Sequence, residues 1–287
     1  MMDFPELNRG DRGEAVVQLQ TWLNRVGAML KDDGDFGAAT ERAVRYAQGI
    51  AQHASTGTVD GALWSWLGSQ PEPFPLLATN GLAFIAREET GGLNYYSLHT
   101  RWPHYPALAS GVTIGVGYDL RFTTKSEFNR LWSPHLPPSH IRELEKDIGR
   151  KGSKTRVREL KKAGIEVPFD KAWKVFVEHT LPEYHGKTLG IYPTLNKLPD
   201  LCRSTLVSLV FNRGSSLNGE RRREMRAIRG ILVEADNPSY HKKKIKMLLA
   251  DVEDELISMQ RLWSPETGVY KRRQKEANLW RRGLQAW

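Results

Sequence analysis

The segment Gln70-Pro71-Glu72-Pro73-Phe74-Pro75 constrains the fold more than any other stretch of the chain. Three alternate prolines remove three backbone donors and fix three φ angles, so neither a helix interior nor a central strand can pass through it. The chain is therefore expected to divide into a domain over 1–70, a proline-rich linker over 71–78 and a larger domain over 79–287. Charge divides at the same place. Residues 1–70 carry six Lys/Arg against nine Asp/Glu, a net −3, whereas 71–287 carries +12, which gives the chain its +9. A basic surface attracts nucleic acid, anionic membrane or an anionic wall polymer by the same screened attraction, so charge alone says only that the partner is negative.

At 40% apolar and 9% aromatic residues the chain has enough to bury a core. Its single cysteine, Cys202, excludes an internal disulfide and a cysteine-rich zinc site. Within Leu201-Cys202-Arg203-Ser204-Thr205-Leu206 it reads as a small buried hydrophobe. No run approaches the roughly 18 apolar residues of a membrane span. The start Met1-Met2-Asp3-Phe4-Pro5-Glu6 has neither the basic nor the apolar region of a secretory signal.

In the first domain, Val16, Leu19 and Leu23 fall on one helical face, with Asp11 and Glu14 expected to cap that helix. A second helix over about 38–48 turns Ala43, Val44 and Ala47 inward, and a third holds Leu63, Trp64 and Leu67. The acidic loop Lys31-Asp32-Asp33-Gly34-Asp35-Phe36-Gly37 suits tight turns and lacks the twelfth-position Glu of a calcium loop. The pattern Gly10-Asp11-x-Gly13, Asp33-Gly34-x-Phe36-Gly37-x-x-Thr40, Ala43-Val44-x-x-Ala47-Gln48 and Thr56-Gly57 before Leu63-Trp64 resembles the helical peptidoglycan-binding domain of cell-wall hydrolases, over residues 7–68.

In the second domain Asn80 is expected to cap a helix whose inward face is Leu82, Ile85 and Glu89. A carboxyl at the end of an apolar stripe is a candidate general acid, because desolvation disfavours its charged form. Glu88, about 100° round, is the alternative. Farther on, Ile114 and Val116 alternate with Gly115 and Gly117, which reads as a strand with one bare face, Thr113 and Asp119 sharing a face. Residues 90–112 contain no Asp or Glu, so Asp119 is the nearest downstream carboxylate that can join a glutamate in glycoside hydrolysis. Tyr95, Tyr96, Trp102 and Tyr118 offer rings that can stack on sugars, and His104 and Tyr105 lie among them. No metal site is expected, and the runs Glu220-Arg221-Arg222-Arg223 and His241-Lys242-Lys243-Lys244 read as solvated helix faces.

The glutamate at a helix end followed by Gly111-Val112-Thr113-Ile114-Gly115-Val116-Gly117-Tyr118-Asp119-Leu120 resembles the phage-type lysozyme family, in its pesticin-like branch. Two later blocks, Leu206 to Gly214 and Val269 to Trp280, resemble that family's core helix and its C-terminal Arg-Arg-x-x-Glu helix. The whole chain resembles a modular phage endolysin.

The resemblance implies a predominantly α fold, in which a small three-helix domain precedes an α+β lysozyme-like domain with a β-hairpin. It also implies a muramidase that hydrolyses the β-1,4 bond between N-acetylmuramic acid and N-acetylglucosamine without a cofactor. Glu89 would be the general acid, Asp119 and Thr113 would place and activate the attacking water, and Arg273 or Arg272 would contact the acid. Asn212, in the core-helix block, is a supporting candidate. Action through a water implies an inverted product. The implied partner is bacterial peptidoglycan, with electrostatic contact to anionic envelope surfaces and a monomeric state. Nucleic acid is not expected, because no recognition motif accompanies the charge. The implied location is the host cytoplasm on synthesis and the wall after a pore forms. A lytic transglycosylase and a non-enzymatic wall-binding or bacteriocin-like protein are the alternatives.

Overall fold

The computed structural model describes residues 4–106 and 109–287. Among the described residues the fold is predominantly α, 63% helix against 3% strand, with one two-stranded antiparallel sheet. The backbone gathers into two compact units: 1–73 with 86–181, and 74–85 with 182–287.

The first unit begins with α1 (Glu14–Arg25), α2 (Ala38–Ile50) and α3 (Gly61–Ser69). Their inward residues are those the helical periodicity selects: Val16, Leu19 and Leu23, then Ala43, Val44 and Ala47, then Leu63, Trp64 and Leu67, in one core with Phe36 and Val59. Two buried amides tie the connecting loops to this core. Gln20 donates to Asp33 and accepts from the Gly34 N–H, and Gln48 bridges Thr56, Gly57 and Thr58. The acidic loop spends its carboxylates locally: Asp33 accepts from the Asp35 N–H, as in an Asx turn. Asp11 does not cap α1. Its carboxylate is taken by the Asn8 N–H at 2.6 Å, and the helix starts behind Gly13, which holds a φ of 112°.

Helix α4 (Thr79–Thr90) has its residues 79–85 in the second unit and 86–90 in the first, and α5 (Leu93–Tyr95) follows in the first. A wide helical turn over Tyr96–Thr100 follows. The sheet pairs β1 (Thr113–Ile114) with β2 (Tyr118–Asp119), and α6 (Lys125–Trp132), α7 (Pro138–Leu144), α8 (Lys154–Lys162) and α9 (Phe169–Val175) complete the unit. The expected single strand from Thr113 to Leu120 is thus a hairpin. Gly115 and Gly117 adopt φ values of 57° and 71°, in the left-handed region that reverses a chain rather than extending it. Gly115 also packs where a Cβ would come within 2.8 Å of the Trp132 ring, so its bare face serves the protein's own core.

The second unit contains α10 (Leu181–Ile191), α11 (Asp200–Arg213), α12 (Arg223–Ala235), α13 (Lys242–Ser258) and α14 (Gly268–Gln285). Helix α11 is buried on nearly every side and packs against α14, which packs against α13. Cys202 is fully buried in it, and burial raises its thiol pKa to about 12. No described helix is long and apolar enough to cross a membrane.

Candidate active site

The last turn of α4 carries Glu88 and Glu89. The Leu82 N–H bonds to the Ala78 carbonyl, so Asn80 lies inside the first turn, beyond the position from which a side chain caps the helix. Leu82 to Ala86 are all buried, without a polar interruption, and Glu88 and Glu89 are both half-buried. The single apolar stripe that favours Glu89 over Glu88 therefore does not exist. Immediately after the two carboxylates the helix stops. The Gly91 N–H reaches the Arg87 carbonyl at 2.8 Å, and Gly91 and Gly92 hold φ values of 79° and 93°. Arg87 donates to the Met29 carbonyl at 3.1 Å, and burial lowers its pKa against the opposing charges of Glu88, Asp32 and Asp33.

Thr113 and Asp119 are direct partners in the hairpin. The flanking bond runs from the Leu120 N–H to the Val112 carbonyl, which makes Thr113–Asp119 a non-hydrogen-bonded pair, the kind whose side chains approach most closely. On its other edge Thr113 exchanges two backbone bonds with His104, at 2.9 and 2.8 Å. Directly paired residues point to one side of a sheet, so His104, Thr113 and Asp119 form a row on a single face. Asp119 is held rigidly. Its carboxylate accepts from the Gly111 N–H at 2.9 and 3.1 Å and from the Arg121 N–H at 2.9 Å. Thr113 is 4% exposed, and its hydroxyl has no hydrogen-bond partner among the described residues. Burial lowers the His104 pKa, opposed by a backbone hydrogen bond at Trp102 and by the Asp119 charge, so the imidazole is held neutral. A fixed anion, an uncommitted hydroxyl and a neutral imidazole in one row are a set that can hold and polarise a water.

His104 was legible in the sequence only as one more ring near the aromatic residues. What assigns it to this row is a pairing across nine positions of chain. Among the described residues between the glutamates and Thr113 no β-hairpin forms: Leu93–Thr100 is helical, and of these residues only His104 pairs with the sheet.

The four aromatic candidates separate. Tyr96 is a core residue, 1% exposed, its hydroxyl donating to the Val167 carbonyl at 2.9 Å and its ring edge-on to Phe169, so it offers no face to a sugar. Tyr95 is half-exposed and lies 4.4 Å from the His99 ring. Trp102 faces two cations, Arg101 and Lys161. Tyr118 shares a 2.7 Å hydrogen bond with Thr123 and sets its ring edge-on to Trp132.

Arg272, Arg273 and Asn212 come together in the second unit. Arg273 and Glu276 are both fully buried and 3.0 Å apart. Glu276 also takes a bond from the Ser208 hydroxyl at 2.6 Å and pairs with Arg272 at 3.2 Å. Arg273 donates to the Asn212 side-chain oxygen at 3.1 Å. These arginines are therefore part of a buried charge network that joins α11 to α14, and not members of the general basic surface.

Residues 12–67 match the family model "Putative peptidoglycan binding domain". The chain is modular, and its first module makes it a peptidoglycan-binding, wall-associated protein with peptidoglycan as a partner. Residues 82–180 match a second model, "Domain of unknown function (DUF8812)". That span contains Glu88, Glu89, His104, Thr113 and Asp119, whereas Asn212, Arg272 and Arg273 lie outside it. No curated protein matches the chain.

Proposed function

We propose that the chain is a muramidase that hydrolyses the β-1,4 bond between N-acetylmuramic acid and N-acetylglucosamine, delivered to its polymer by the N-terminal module, in the manner of a phage endolysin that lyses its host. The observation that carries this reading is the Thr113–Asp119 pair: a carboxylate fixed by two backbone N–H groups beside a buried hydroxyl without a partner among the described residues. In the proposed reaction Glu89, or Glu88 from the same helix turn, protonates the glycosidic oxygen. Asp119 takes a proton from a water that Thr113 orients, and that water attacks the anomeric carbon from the opposite face, which inverts its configuration. Protonation breaks the glycosidic bond, the water supplies the new C–O bond, and no external co-reactant is needed.

A transglycosylase needs one acid and no partner to activate water, so the fixed Asp119 favours hydrolysis. The test is release of soluble muropeptides from purified sacculi by the full chain, by Glu89→Gln, by Glu88→Gln and by Asp119→Asn. Release by the wild type, abolished in Asp119→Asn and in one of the two glutamate variants, is the expected result. No release by the wild type, or undiminished release by Asp119→Asn, overturns the proposal.

A further inference from the structure

Helix α11 ends at Arg213, and the chain beyond it folds back around a cavity of about 490 Å³ whose walls include Asn212, Arg213, Asn218, Arg221, Arg222 and Trp263. None of the described residues that line it is acidic. The three arginines are locked together through backbone: Arg213 donates to the Arg221 carbonyl, and Arg222 donates to the Arg213 carbonyl. Arg213 is 9% exposed, its guanidinium lies over the Trp263 ring at 5.0 Å, and its Nε–H has no hydrogen-bond partner among the described residues. Burial and then the like charges of Arg222, Arg273 and Arg221 lower its pKa to about 10, against a partial offset from Glu224. Glu224 is itself engaged, by Arg261 at 2.5 Å and Arg223 at 3.1 Å. A buried guanidinium with an unused N–H among like charges is unfavourable, and an anion in the cavity relieves both costs.

We propose that this cavity binds an oxyanion, the terminal carboxylate of a peptidoglycan stem peptide. The choice of peptide rests on peptidoglycan being the substrate, as read above. A guanidinium fork matches a planar carboxylate in two parallel hydrogen bonds. The volume exceeds that of a lone carboxylate and falls in the range of sites for small molecules, so the preceding peptide residue has room as well. The Asn212 and Asn218 side chains offer amide partners for its backbone, and Trp263 offers an apolar wall. A phosphate group presents the same oxyanion chemistry from a different polymer, and the experiment separates the two.

The experiment follows the Arg213 Nε–H resonance of the ¹⁵N-labelled full chain, assigned through bonds. Three probes are titrated: a stem tetrapeptide with free carboxyl groups, the same peptide fully amidated, and inorganic phosphate. The proposal expects saturable movement of the resonance by the free acid, with the amidated peptide weaker by about tenfold, the value of one charge-assisted pair. Arg221→Gln, at an exposed position on the rim, is expected to weaken the free acid several-fold while leaving Tm unchanged. Equal binding of both peptides, no movement, or undiminished affinity in Arg221→Gln overturns the site. Saturation by phosphate at lower concentration than the peptide overturns the carboxylate assignment in favour of a phosphate-bearing polymer. The peptides contain no glycosidic bond, so this outcome stands apart from sacculus cleavage: lost cleavage with intact peptide binding overturns the muramidase reading alone.

Discussion

Thr113 and Asp119 face each other across a non-hydrogen-bonded position of the hairpin, one with a buried hydroxyl that no group among the described residues uses, the other with a carboxylate fixed by two backbone N–H groups. An unsatisfied buried polar group costs about 1–3 kcal/mol.

This cost makes Thr113→Val informative. Valine keeps the branched shape that suits a strand and removes the unused hydroxyl, so stability is expected to hold or to rise by up to about 1 kcal/mol. Turnover on dispersed peptidoglycan is expected to fall roughly 100-fold, with KM little changed. Urea denaturation and initial-rate kinetics on one preparation check both halves. Destabilisation together with undiminished turnover would make Thr113 a packing residue.

Gly111→Ala probes the anchoring of Asp119. An added Cβ would come within 2.5 Å of the Asp119 carboxylate and 2.7 Å of the Arg121 backbone nitrogen. The carboxylate must move, and the expected stability loss is about 1–3 kcal/mol, typical of overpacking. Activity is expected to fall further than the unfolded fraction explains. A Tm and a specific activity both equal to those of the wild type would show that the carboxylate needs no such anchor.

The Glu276 network predicts a stability defect. Glu276→Gln removes a carboxylate that Arg272, Arg273 and Ser208 share inside the protein. The expected cost is about 3–5 kcal/mol. Chemical denaturation measures it, and a change under about 1 kcal/mol would show that other partners suffice.

His104 predicts a pH effect of definite sign. Burial lowers its folded pKa below the ordinary 6.5, so the unfolded chain binds the proton more readily. The stability this neutral imidazole contributes is complete above about pH 6.5 and is lost as pH falls below that value toward the folded pKa. His135 and His185 are shifted in the same direction, so the relevant quantity is a difference. Between pH 7 and pH 5 the wild type is expected to lose more stability than His104→Gln. Equal losses would remove His104 from the titration.

The helices of the first module were legible because their apolar residues repeat at the helical period, with turns marked by glycine and aspartate. The hairpin was half legible. Alternation of Ile114 and Val116 with glycines fits a strand, and only the positive φ at Gly115 and Gly117 turns the same letters into a reversal. Glu88 and Glu89 are legible at a helix end, but not their relative roles, because Leu82 to Ala86 are all buried and leave no single apolar stripe to choose between them. Tyr96 lies in the core, not at a sugar face, because in sequence an aromatic ring near a site reads alike whether it faces a ligand or the core. The run around Arg221 and Arg222 read as a solvated face. Glu220, Arg221 and Arg223 are indeed exposed, but that Arg221 and Arg222 also line a cavity with Arg213 depends on the backbone folding back after Gly214, and no local pattern announces this. His104 was missed for the same reason.

The central claim is that this chain hydrolyses peptidoglycan glycan strands through a water placed by Thr113 and Asp119. Mass spectrometry of muropeptides released from purified sacculi tests it most directly, since hydrolysis leaves reducing N-acetylmuramic acid ends and transglycosylation leaves 1,6-anhydro ends lighter by one water. The account predicts reducing ends from the wild type and none from Asp119→Asn. Anhydro ends, or intact glycan after prolonged digestion by the wild type, would contradict it.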